Sequence, residues 1–258
     1  MRTAGVDLAS QDKKTAICVI EWTQSGARVE RLHLDVDDQE IGALIDEVDK
    51  VGIDVPLGWP VAFADAVAQH SRSGRWPAEY DYRDSARYRL RFTDREVARI
   101  PGSHPPLSVS ADRIAIPTMR AAALLSRLPL DVARDGSGVV VEVYPAAALR
   151  AWGFEKRPYK NKNADARAQL VSELLERTPW LEIAESDVEL CRREDDALDA
   201  VVAAMVARAA ATSLVVAPPT EEMATVLREG WIAVPHAGSL DDLVAGGSLV
   251  GGPGVSEV

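Results

Sequence analysis

Four acidic positions in this chain close apolar runs or open one. Asp7 follows Ala4-Gly5-Val6, Asp54 follows Val51-Gly52-Ile53, Glu142 follows Val139-Val140-Val141, and Asp195, Asp196 and Asp199 begin an Ala/Val-rich stretch. The first three read as acids on apolar strands and the last three as a helix start, where side chains from distant sequence meet. Carboxylates repel at short range, so a converging set calls for a divalent cation, and hard oxygen ligands suit Mg²⁺ or Mn²⁺. Asp196 and Asp199 are three apart and share a helical face, which Asp195 joins at four from Asp199. Each acid also has a plainer reading. Asp195 or Asp196 can cap the helix, Asp199 can face water, Asp7 can cap a turn through Ser10, and Glu142 can pair with an arginine in the core. The run Ala200-Val201-Val202-Ala203-Ala204 behind Asp199 favours a buried acid that needs a partner or a metal.

These acids must be positioned by the elements around them. Thr3 to Leu8, Lys14 to Trp22 and Arg28 to Leu34 read as three strands in close succession, with Ser25-Gly26 as a turn, and so as an antiparallel meander. A helix from Gln39 to Val48 and a short strand from Val51 to Val55 follow, a spacing that favours parallel pairing. The C-terminal end of such a central strand is the usual ligand crevice of an open α/β sheet, which is where Asp7 and Asp54 fall. Pro60 to His70 reads as helix, and residues 71–117, broken by glycines and prolines, read as a loop-rich insertion over the site. Further helices are expected over Thr118 to Leu128, Ala146 to Trp152, Ala164 to Arg177, Asp195 to Ala211 and Glu221 to Glu229. Strands are expected over Gly138 to Val143 and Gly230 to Val234, and residues 237–258, rich in Gly and Ser, read as a disordered tail.

With 258 residues, 47% hydrophobic and 27% charged, the chain can bury the core of a single large α/β domain, assigned to residues 1–236. No apolar run approaches the roughly 20 residues of a membrane span, and no export signal is read, so a cytoplasmic protein without membrane contact is expected. Cys18 and Cys191 lack metal or redox spacing and read as reduced thiols. The net charge of −11 is the wrong sign for coating nucleic acid through counterion release. Polyanion binding must therefore be local, at the arginine-rich stretch Arg72 to Arg99 or at Arg150 to Arg167, unless these are surfaces paired with their own acids. Trp59, Trp76, Tyr80, Tyr82 and Tyr88 offer stacking faces, or a small satellite core beneath the insertion.

Six segments in order, Gly5-Val6-Asp7-Leu8-Ala9, Ile53-Asp54-Val55-Pro56-Leu57-Gly58, Arg91-Phe92-Thr93-Asp94-Arg95, Val141-Glu142-Val143-Tyr144-Pro145, Asp196-Ala197-Leu198-Asp199-Ala200 and Glu229-Gly230-Trp231, together resemble the DUF429 family of predicted nucleases. The resemblance runs from about Arg2 to Pro235. It implies an α/β, ribonuclease H-like mixed sheet, an antiparallel three-strand meander extended by parallel strands and flanked by helices. It also implies two divalent ions held by an Asp on the first strand, an acid ending the fourth, and one or two Asp opening a late helix. The Asp-x-x-Asp-Ala start resembles that of Holliday-junction resolvases and maps to Asp196 and Asp199. This chain carries Asp54 where those proteins carry Glu, and it adds Glu142.

The expected function is thus a divalent-metal-dependent nuclease using Mg²⁺ or Mn²⁺, with Asp7, Asp54, Glu142, Asp196 and Asp199 as metal-binding and catalytic acids. Arg91, Thr93, Arg95 and Lys160 are the expected phosphate contacts, against a plainer reading of Arg91 to Arg95 as a local salt-bridge cluster. The partner is a structured or single-stranded nucleic acid, or a nucleotide, and a homodimer is a further expectation. Two alternatives stand beside it: a nucleotide-binding phosphotransferase or hydrolase of actin-like type, which lacks its phosphate loop here, and a non-catalytic binding module.

Overall fold

The structure, a computed structural model, describes residues 1–81, 83, 85–103 and 106–245. Its strands are β1 (Arg2–Asp7), β2 (Ala16–Trp22), β3 (Ala27–Leu34), β4 (Lys50–Ile53), β5 (Val140–Val143), β6 (Leu181–Glu182) and β7 (Ile232–Ala233). Its helices are α1 (Asp38–Glu47), α2 (Val61–Ser73), α3 (Ala86–Arg89), α4 (Phe92–Ala98), α5 (Ala115–Leu125), α6 (Pro145–Ala151), α7 (Ala164–Arg177), α8 (Glu185–Arg193), α9 (Asp195–Ala211), α10 (Met223–Glu229) and α11 (Asp242–Ala245). The strands form one seven-stranded mixed sheet in the order β6-β3-β2-β1-β4-β5-β7. The meander β1-β2-β3 is antiparallel, and β4, β5 and β7 add in parallel on the other side of β1.

Alternation along the strands divides the core in two. Ala4, Val6, Ile17, Val19, Val51 and Ile53 face α1 and α5, whereas Cys18, Ile20, Val141 and Val143 face α9. The α1 helix starts where the Asp37 carboxylate accepts the Glu40 N–H at 2.8 Å and presents Ile41, Leu44 and Ile45 to the sheet. The α9 helix is buried on every side from Ala197 to Ala209, which explains its composition. Small residues let its backbone lie against the sheet, and any polar side chain on it needs an internal partner.

Most element positions match the sequence expectation within a residue or two. The helix expected from Thr118 starts at Ala115 instead, because Pro117 is tolerated in a first helical turn and Thr118 bonds back to the Ile114 carbonyl at 2.7 Å. Helix α8 and the short edge strand β6 had no sequence expectation. The stretch assigned to a disordered tail is folded over its described part: Leu240 and Leu243 are buried in the α9-side core, and Arg208 Nε donates to the Leu243 carbonyl at 3.0 Å. Residues 246–258 of that expectation lie outside the described residues. The 71–117 region carries α3 and α4 among loops, and Trp76, Tyr80 and Tyr88 pack together as the satellite cluster, with Tyr80 edge-on to both other rings and Trp76 tilted against Tyr88. Tyr82 lies outside the described residues.

Candidate active site

The site is built by an unusually close approach of α9 to the sheet. Thr3, Gly5 and Asp7 share one face of β1, and Thr3 Oγ1 donates to the Ala204 carbonyl at 2.9 Å. A Cβ on Gly5 would lie 2.0 Å from the Ala200 carbonyl oxygen, and one on Gly52, its partner on β4, would lie 2.6 Å from that of Ala203. Both strands therefore meet the helix backbone directly. Asp7 stands two residues beyond Gly5, Asp54 two beyond Gly52, and Asp199 immediately before Ala200. The three carboxylates converge at the carboxyl ends of β1 and β4 and the amino end of α9.

Asp7 and Asp54 line a cleft of about 730 Å³, and Asp199 lies beneath Tyr159 and Lys160 of its wall. Tyr144, Lys156, Lys160 and Asn163 line it with polar groups, and Leu107 and Ile114 with apolar ones. Burial, then the charges of Asp199 and Asp54, push the Asp7 carboxyl well above the ordinary range. Burial likewise pushes Asp54 up to about 7, with Asp199 and Glu142 adding to the rise and Lys160 opposing it. Asp199 is only 1% exposed. Tyr159 OH donates to its Oδ1 at 2.7 Å, and Lys160 Nζ lies 2.6 Å from its Oδ2. That second contact is a charge pairing outside hydrogen-bonding angles, so Asp199 Oδ2 has no hydrogen-bond partner. Burial alone would lower the Lys160 ammonium, but Asp199, Tyr159, Asp54 and Asp7 outweigh it and hold it well above its usual value. Asp196 sits at the margin, 3.5 Å from Lys14 Nζ, and Asp195 turns away to accept the Asn161 N–H at 3.2 Å. Among the described residues no three His, Cys, Asp or Glu side chains form a ready-made metal shell.

Glu142 occupies a different place. In the β4–β5 register it pairs with Ile53, whereas Gly52 pairs with Val141, so Glu142 points to the face opposite Asp7 and Asp54. There it meets Arg91. The guanidinium gives NH1 to Glu142 Oε2 at 2.8 Å and to the Glu229 carbonyl at 3.2 Å, NH2 to Glu142 Oε1 at 2.7 Å and Asp94 Oδ1 at 2.8 Å, and Nε to Asp94 Oδ2 at 3.2 Å. All five of its N–H groups are engaged, leaving none for a phosphate. Thr93 Oγ1 accepts the Ile232 N–H at 2.9 Å, and Arg95 donates to the Leu90 carbonyl at 3.1 Å and stacks beside Phe92. The Glu229 carboxylate caps two chain segments at once, accepting Val61 N–H at 2.7 Å and Phe92 N–H at 2.6 Å. Gly230 (φ +94°) completes the knot, since a Cβ there would sit 2.8 Å from Glu142 Oε2. Residues 91–95, 142 and 229–230 thus lock α4, β5 and α10 together beside Asp54, and Arg91 and Glu142 form part of the cleft wall.

Both the strand-end acids and most of this knot lie within residues 5–224, which the family model "Protein of unknown function (DUF429)" matches. The chain belongs to the DUF429 family. No curated protein and no solved structure matches it. In this DUF429 chain, Asp7, Asp54 and Asp199 come together as the spacing of the acids predicts, with Asp196 at the edge. Glu142, Arg91 and Thr93 form the internal salt-bridge cluster that was the plainer reading of each. Lys160, expected to meet a phosphate, meets Asp199. Tyr159, which the sequence offers with Lys160 as a phosphate contact, is buried against Asp199 instead. Tyr144, lining the cleft beside Asp54, is not singled out by sequence.

Proposed function

We propose that this protein is a divalent-metal-dependent phosphodiesterase of ribonuclease H-like fold, acting on a nucleic acid segment of nucleotide size. The observation that carries the reading is the convergence of Asp7, Asp54 and Asp199 at the sheet's carboxyl edge, where burial and mutual repulsion raise Asp7 and Asp54 far above ordinary carboxylates. Such a set is costly without a cation. The donor chemistry fits Mg²⁺ or Mn²⁺: the oxygens are hard, and Asp199 Oδ2 and Asp196 Oδ2 are buried without hydrogen bonds, each facing a lysine ammonium where a cation is favoured. Asp7, Asp54 and Asp199 would hold the ion, with Asp196 within reach of a second. A divalent ion there supplies an activated water and neutralises charge on a phosphodiester. The three-strand meander extended in parallel through β4 and β5 supports the ribonuclease H-like reading.

The chain's own groups suggest how a substrate sits. Lys156, Lys160 and Asn163 on one wall suit phosphate oxygens, and Leu107 and Ile114 on another suit a sugar or base. A cleft of about 730 Å³ suits a short single-stranded segment better than a duplex, consistent with the net charge of −11. The same dimensions favour, as a second reading, a hydrolase acting on free nucleotides. Calorimetric titration of Mn²⁺ into the wild type, Asp7→Asn and Asp199→Asn tests the centre, with cleavage of single-stranded, branched and hybrid nucleic acids and of nucleotides followed in the same samples. Binding and cleavage lost together in both variants is the expected result. Turnover of nucleotides alone would move the conclusion to the second reading, and a wild type that binds no metal would leave a binding module.

A further inference from the structure

We infer that Lys160 is a built-in counter-ion which occupies the cation position of the carboxylate site and must swing out before a metal enters, an inference that rests on the metal-site reading above. Its ammonium is 2.6 Å from Asp199 Oδ2, the carboxylate oxygen with no hydrogen bond of its own, while Tyr159 holds the other oxygen. Asp199 is the carboxylate within 4 Å of this ammonium, and the charges of Asp54 and Asp7 reach it from further off, in the same cleft. A metal and this ammonium compete for one set of oxygens.

The surroundings determine what can move. Arg167 NH1 donates to the Tyr159 carbonyl at 2.9 Å and to the Asn161 carbonyl at 3.1 Å, and Asp195 holds the Asn161 N–H. The backbone on both sides of Lys160 is anchored. The Lys160 side chain, by contrast, is 43% exposed against 1% for Asp199. Release is therefore a rotamer change of a long, flexible side chain and not a loop opening. The released ammonium lies on the cleft wall with Lys156 and Asn163, where a phosphate-bearing substrate would meet it. Metal entry thus frees a cation for substrate, which couples the two binding events in the same direction.

The test is Mn²⁺ titration by calorimetry on the wild type, Lys160→Met, Lys160→Gln and Lys160→Arg, with circular dichroism and thermal melting to establish that each is folded. Removing the competing ammonium in Lys160→Met should tighten Mn²⁺ binding by about tenfold or more, because the wild type must first break a partly buried ion pair. Lys160→Gln should tighten it similarly and serves if the Met variant fails to fold. Lys160→Arg, which keeps the charge, should bind no more tightly than the wild type. Measurable wild-type binding that Met or Gln leaves unchanged or weakens would overturn the counter-ion role while the metal site stands. Absence of Mn²⁺ binding in every variant would overturn both.

Discussion

Replacing Gly5 by alanine tests the packing on which the whole site depends. The added Cβ would fall 2.0 Å from the Ala200 carbonyl oxygen, 2.3 Å from the Ala204 nitrogen and 2.9 Å from the Ala203 carbonyl carbon, all backbone atoms of α9. Ordinary contact begins at 3.4 Å, so helix or strand must give by about 1.4 Å at the worst contact. No side-chain rotation relieves it. Overpacking of a tight core costs roughly 1–3 kcal/mol, and a clash with rigid helix backbone belongs at or above the upper end, about 3 kcal/mol. For a domain of this size that is a fall in Tm of roughly 6–12 °C. Because Asp199 precedes Ala200, the same displacement carries it away from Asp7, so Mn²⁺ affinity should fall as well. Gly42→Ala is the control: its Cβ meets only Leu128 Cδ2 at 3.9 Å inside helix α1, and it should stabilise by up to about 1 kcal/mol. Urea unfolding and scanning calorimetry measure both. A Gly5→Ala protein within about 0.5 kcal/mol of the wild type would refute the close β1–α9 contact and the site geometry derived from it.

Two other outcomes follow from the same structure. Arg91→Ala leaves Glu142 and Asp94 buried with no counter-charge, and urea unfolding should show a loss of about 3–5 kcal/mol; a loss under 1 kcal/mol would contradict the buried knot. Asp54, with its carboxyl raised to about 7 in the folded protein against 3.8 unfolded, keeps a proton that the unfolded chain releases between those values. Its contribution to metal-free stability is therefore lost as pH rises from about 4 to 7, and an incoming cation must displace that proton. Because Asp7 is raised as well, Mn²⁺ affinity should climb at least about tenfold per pH unit up to pH 7, as titrations at pH 5.5, 6.5, 7.5 and 8.5 will register; a flat profile would contradict it.

The order and period of the residues determined a good deal. Apolar alternation laid out the meander, the spacing after it favoured a parallel β4, and the acids ending β1 and β4 and opening α9 were legible as one converging set. The reason is local: strand ends, helix starts and burial of an Ala/Val run follow from the residues nearest in sequence. What tertiary structure alone decided is which way each side chain faces and what it finds there. Glu142 closes an apolar run just as Asp54 does, yet the β4–β5 register pairs it with Ile53 and not with Gly52, sending it to the other face. A shift of one residue reverses a strand's faces, and no local pattern in a strand buried on both sides reveals the register. Arg91 and Thr93 carry phosphate-binding chemistry by type, but their donors and acceptors are taken by Asp94, Glu142, Glu229 and Ile232, three of which are at least 51 residues away in the chain. Leu240 and Leu243, two apolar residues in a Gly- and Ser-rich stretch, fold because α9 leaves apolar surface for them to cover. Lys160 was legible as a cation near a phosphate site, and only the fold set its ammonium against Asp199.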